Sequence, residues 1–198
     1  MSAKLEKRLG HKFNELGLLS QALTHPSAEG ANYQRFEFLG DRVLGLVIAD
    51  WLMRDFAEAD EGELAIRFNA LVRKEACAEV AGRLDLGTHI VMGAGEEKAG
   101  GRQKTAILGD VCEAVIAALY LDGGIEPARR MIEKEWAYLL EKSGKVRQDA
   151  KTALQEWAQA RGQQPPRYIE LSREGPDHAP VFTIAARLES GEEATAAA

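Results

Sequence analysis

Residues 34–44 read QRFEFLGDRVL. Glu37 and Asp41 stand there among Phe36, Phe38, Leu39, Val43 and Leu44, in a run that otherwise has the composition of a buried helix. Four residues apart, the two acids share one helical face, one turn from each other. A second stretch has the same character. In ILGDVCEAVIAALYL (107–121), Asp110 and Glu113 are three apart and are the only charged residues. A helix that apolar is buried nearly all round, and an unpaired carboxylate inside it either loses several kcal/mol of solvation or takes up a proton.

Three compensations are open to such acids. Ion pairs with Arg35, Arg42 or other bases would be purely structural. General acid/base work would suit carboxylates of raised pKa, but two would serve for that. Four acids, two on each of two buried helices, fit a hard divalent cation best, because Mg²⁺ takes oxygen ligands, keeps several waters and neutralises the cluster. A di-iron carboxylate bundle uses the same placement but needs Glu-x-x-His pairs, and none of His11, His25, His89 or His178 has a glutamate three residues before it.

Outward from these two helices, a chain of 198 residues with 45% hydrophobic content has room for one domain and a small second one. The start, MSAKLEKRLG, is charged with no apolar segment after it, and no apolar run approaches the roughly 20 residues that span a bilayer. The expectation is a cytoplasmic protein without a membrane partner. Cys77 and Cys112 lie far apart in apolar helical surroundings and read as two buried free thiols, not a disulfide or a zinc site. The net charge of −6 is uneven: residues 145–173 carry six basic against three acidic side chains, a modest pointer to a polyanion.

From Leu5 to about Lys142 the pattern is helical, over 14–24, 35–56, 63–84, 107–121 and 126–140, with the Gly-rich GAGEEKAGGRQK (93–104) as an exposed loop. KSGKVRQD (142–149) is polar and aperiodic and reads as a linker. Beyond it, AKTALQEWAQARG (150–162) is one amphipathic helix, RYIELSRE (167–174) and PVFTIAARLE (180–189) alternate as strands, and SGEEATAAA is a third strand or a tail. The expected fold class is mainly α: an all-helical domain over 1–144, then a small α+β domain over 145–198.

FEFLGDRVL and LGDVCEAVIAALYLDGG together resemble the bacterial ribonuclease III family, and LSQALTHPS (19–27), DEGEL (60–64) and GAGEEKAGGRQKTAIL (93–108) follow in that family's order and spacing. DAKTALQEWAQARG resembles the first helix of its double-stranded-RNA-binding domain. The resemblance implies a homodimeric endonuclease for double-stranded RNA, acting on ribosomal and messenger precursors, with Mg²⁺ as cofactor and Mn²⁺ as a substitute. It implies that Glu37, Asp41, Asp110 and Glu113 bind metal, with Asp41 and Glu113 catalytic. Glu61 matches a further acid near the site and the dimer interface, and Phe38 a residue that inserts into the partner subunit, although a phenylalanine on an apolar face is otherwise expected in the core. For RNA contact it points to Thr152, Gln155 and Glu156 on the helix, His178 in the following loop, and Arg102 and Lys104 beside the second acidic helix.

Two departures stand out. The family signature commonly begins Asn-Glu-Arg where this chain has Tyr33, Gln34 and Arg35, so an amide replaces one peripheral acid. The family's RNA-binding domain closes with a basic helix, and the chain's last residue, Ala198, precedes any such segment, so the second domain reads as truncated. A non-catalytic RNA-binding protein of this fold is the competing class, but it would have no need of four intact acids.

Overall fold

The structure, a computed structural model, describes residues 2–143, 150–174 and 181–197. By its contacts the chain divides into two compact units, Met1–Lys145 and Val146–Ala198.

The first unit is helical: α1 (Ser2–Leu9), α2 (Leu16–Ala22), α3 (Gln34–Asp55), α4 (Glu61–Val72), α5 (Lys74–Arg83), α6 (Ala94–Lys98), α7 (Thr105–Gly123) and α8 (Ile125–Ser143). Its centre is α7, in which every residue from Val111 to Leu119 is buried. Helix α3 packs Val43, Leu44, Val47, Ile48 and Leu52 into the same core, and α5 adds Cys77, Val80 and Ala81. A helix surrounded in this way has no polar face to spare, which explains the near absence of charge in its sequence. Both cysteines are free and buried, as expected.

Residues 63–84, read from periodicity as one helical run, are two helices. Arg73 between them is extended (ψ 153°), and the break turns α5 away from the line of α4. Hydrophobic spacing continues across it because both helices face one core, so periodicity alone does not reveal the bend. Asp60 caps α4, its side chain accepting from the Glu63 amide at 2.9 Å. The indole of the fully buried Trp136 on α8 donates to Leu71 O at 2.8 Å, fastening the end of α4 to the core. The 93–104 loop contains α6 and a 3₁₀ turn over Gly101–Gln103.

The second unit comprises α9 (Ala150–Ala160) and an antiparallel sheet of β1 (Arg167–Glu174), β2 (Val181–Arg187) and β3 (Glu193–Ala197), in the order β1-β2-β3. Ile184 stands between Glu170 and Ala196, and the β1 register shifts between Glu170 and Ser172. The open question of the C-terminal segment is thus answered by a third strand. Ala158 and Ala185 are buried, whereas Tyr168, Ile169, Leu171 and Ile184 expose apolar surface.

Candidate metal centre

Helices α3 and α7 approach each other so closely that a Cβ on Gly40 would lie 1.8 Å from Glu113 O. Only a residue without a side chain fits there. This crossing brings the acids together: Glu37 projects from the first turn of α3, Asp110 and Glu113 from α7, and each offers a carboxylate oxygen within 4.8 Å of the others. Asp41, one turn beyond Glu37, stands outside this triple and pairs with Arg42. Its charge still reaches the cluster, for it is the largest electrostatic contribution to the shift at Glu113.

Glu113 is 6% exposed. Burial first, then the charges of Asp41 and Glu37, push its carboxyl up to about 7. Burial and Asp110 likewise raise Glu37. Within the protein, the Cys77 thiol donates to Glu113 Oε1 at 3.8 Å, and the hydroxyl of the buried Tyr33 donates to Asp110 Oδ2 at 3.4 Å. Lys74 Nζ lies 2.6 Å from Asp110 Oδ1, and this charge-assisted hydrogen bond is the first cause that raises the lysine above its ordinary value. Three clustered carboxylates, two of them raised and with one oxygen of each within 4.8 Å of the others, form a donor set suited to a hard divalent cation.

The remaining sequence-derived candidates fall elsewhere. Phe38 is not core: it is 66% exposed, with the Arg42 guanidinium 4.4 Å above its ring. Glu61 is exposed at the start of α4 and lines a cavity of about 420 Å³ with Leu52, Met53, Leu64 and Phe68. Arg102 donates to Gly87 O at 3.1 Å and Ile90 O at 2.6 Å and pairs with Glu97, while Lys104 pairs with Glu96 at 2.7 Å. Gln155 is half-buried on α9. Thr152 and Glu156 fall on the same helix, but their side chains, like the whole of His178, lie outside the described residues. Sequence reasoning missed Lys74, Cys77 and Gly40. Only Gly40 gave a signal, as a glycine in mid-helix between the two acids.

Residues 15–139 match the sequence model of the ribonuclease-III-like family, and residues 150–197 that of the double-stranded RNA binding motif. Ribonuclease 3 of Jannaschia sp. (strain CCS1) is 54% identical over 194 residues, covering 96% of this chain and 86% of that protein. Ribonuclease 3 of Dinoroseobacter shibae is 56% identical over 187 residues, covering 93% and 82%. Among solved structures, the nuclease domain of ribonuclease III from Campylobacter jejuni, described with a region involved in dimer formation, superposes with a TM-score of 0.64 at 42% identity over 68% of this chain and 97% of that one. Helical unit, RNA-binding motif and near full-length identity agree: this chain belongs to the ribonuclease III family.

Proposed function

We propose that this chain cuts double-stranded RNA at the acidic cluster of α3 and α7, with Glu37, Asp110 and Glu113 holding a divalent ion and Asp41 joining them when it releases Arg42. The endoribonuclease activity follows from the family and its two matched segments; the site assignment rests above all on the three carboxylate oxygens gathered within 4.8 Å. Mg²⁺ is the proposed ion and Mn²⁺ its substitute, because every donor is a carboxylate oxygen. When bound, such an ion makes water nucleophilic at neutral pH and offsets charge on the phosphate.

The protein's own part is to position and to exclude. Glu113 and Asp41 orient the attacking water in line with the scissile bond, while the buried wall of α7 keeps bulk solvent from the cluster. Water oxygen bonds to phosphorus as the bond to the 3′ oxygen breaks; the water loses a proton and the leaving oxygen gains one. The ends are a 5′-phosphate and a 3′-hydroxyl, and no protein nucleophile is needed.

The A-form duplex presents phosphates and 2′-hydroxyls across a wide minor groove. Thr152, Gln155, Glu156 and His178 are proposed to read these in residues 145–198. Arg102 and Lys104 would hold phosphate in the catalytic domain, 1–144, by exchanging Glu97 and Glu96 for it. Phe38, Leu46 and Met53 form an exposed apolar stripe along α3, and a self-complementary patch of this kind supports a symmetric homodimer with Glu61 at its edge. Two sites would then cut the two strands with a stagger. No helix among the described residues is long and apolar enough to cross a membrane, and processing of ribosomal and messenger precursors in the cytoplasm is the proposed setting.

End-labelled duplex RNA incubated with and without Mg²⁺ tests this reading. Cleavage should require the ion, cease with chelator and leave ligatable 5′-phosphates; metal-independent cutting, or 2′,3′-cyclic ends, would refute it. Phe38→Glu should sediment as a monomer, and an unchanged dimer would remove the stripe from the interface.

A further inference from the structure

Lys74 is oddly placed for a lysine. It is the first residue of α5, where the helix dipole disfavours a cation, and Glu75 is the one acid of that first turn. Its stem nevertheless has a built seat: α7 has a glycine at 109, and a Cβ there would fall 2.7 Å from Lys74 Cγ and 3.1 Å from Lys74 O. Across that gap the side chain runs to Asp110, placing Nζ 2.6 Å from the carboxylate oxygen Oδ1 in a short ion pair. Glu37 and Glu113, the other two members of the cluster, act on the same ammonium electrostatically.

Resting on the reading of these acids as a metal site, the geometry points to Lys74 as a built-in counter-ion that holds the cation position of the cluster until a divalent ion displaces it. A metal on Oδ1, at the usual ligand distance of about 2.1 Å, would sit no more than about 5 Å from Nζ, where two cations repel. Ammonium and metal are therefore alternative occupants of one place. The side chain is 45% exposed, so its head has a path to water once its stem lets go of Asp110. Two consequences follow: Lys74 lets the apo protein fold with three acids side by side, and it sets a threshold concentration below which the site stays in the ammonium form. Lys74 is thus a positioning residue that acts through Asp110.

The test is Mn²⁺ binding to the full chain without RNA, by titration calorimetry, together with melting temperatures in chelator and in Mn²⁺. Lys74→Gln keeps the stem and removes the charge. It should bind Mn²⁺ up to about fivefold more tightly than wild type, the worth of a partly exposed ion pair, should melt lower in chelator, and should gain more from the metal. Lys74→Arg should bind no more tightly than wild type. Equal or weaker Mn²⁺ affinity in Lys74→Gln overturns the proposal, since a residue that merely braced α5 against α7 would not improve binding when removed. Should Lys74→Gln unfold in chelator, refolding at Mn²⁺ concentrations below those wild type needs would support it, and failure to refold would overturn it. Glu113→Gln separates the two levels: if it binds Mn²⁺ as wild type does, the metal reading falls and this proposal with it.

Discussion

Glu113→Gln is expected to lower the rate of duplex RNA cleavage by about 10³-fold or more, the scale lost when a charge-bearing group is removed from a reacting centre, while RNA binding stays near wild type. The amide keeps the size and shape of the carboxyl but offers a neutral oxygen, and Glu113 is the most deeply buried acid of the cluster. Stability should move the other way. The folded protein holds the Glu113 proton up to about 7, against an ordinary 4.5. The stabilisation from this group is complete below about 4.5 and is lost as pH rises through about 7. Glutamine suffers no such loss. In chelator above pH 7 the variant should therefore equal or exceed wild type, by at most about 3 kcal/mol, and the gap should close toward pH 5. Filter binding, single-turnover cleavage and melting curves at both pH values check this. An active variant, or one equally destabilised at every pH, would make Glu113 a structural acid.

Gly40→Ala should cost both fold and activity. The added methyl would lie 1.8 Å from Glu113 O and 2.4 Å from its carbonyl carbon, inside any tolerable contact. Both partners are helix backbone, so neither gives way as a side-chain tip would. Overpacking of this kind costs about 1–3 kcal/mol, a drop of several degrees in melting temperature for a domain of this size. The relief available is separation of α3 from α7, and that moves Glu37 away from Asp110 and Glu113. A misplacement of about 1 Å at a reacting centre lowers rate about 10²-fold. Gly82→Ala is the control: its Cβ would meet nothing within 4 Å, and alanine favours the helix. If Gly40→Ala cleaves like wild type, the close crossing does not position the acids.

Charge in the wrong company made the site legible: Asp110 and Glu113 are conspicuous because α7 has no other charge between Ile107 and Leu121. The first two strands followed from alternation, β1 within its quoted bounds, whereas the sequence leaves the third open between strand and tail. The break at Arg73 did not, because one core on one side imposes continuous spacing on α4 and α5 alike. Nor did the partner of Asp110. Lys74 lies 36 positions away in sequence, and only the turn at Arg73 and the bare backbone at Gly109 bring its ammonium to that carboxylate.

By itself the sequence determined a helical unit, a small α+β unit after it and the acids that stand out in apolar helices, because hydrophobic periodicity and isolated charge are local properties of the chain. The nuclease and RNA-binding readings came from the resemblance. Tertiary structure alone decided which oxygens converge, that Asp41 turns to Arg42, that Phe38 faces outward, and that Lys74 pairs with Asp110. Those outcomes depend on how closely two backbones approach and in which direction each helix runs, and pairwise spacing along a chain carries neither quantity.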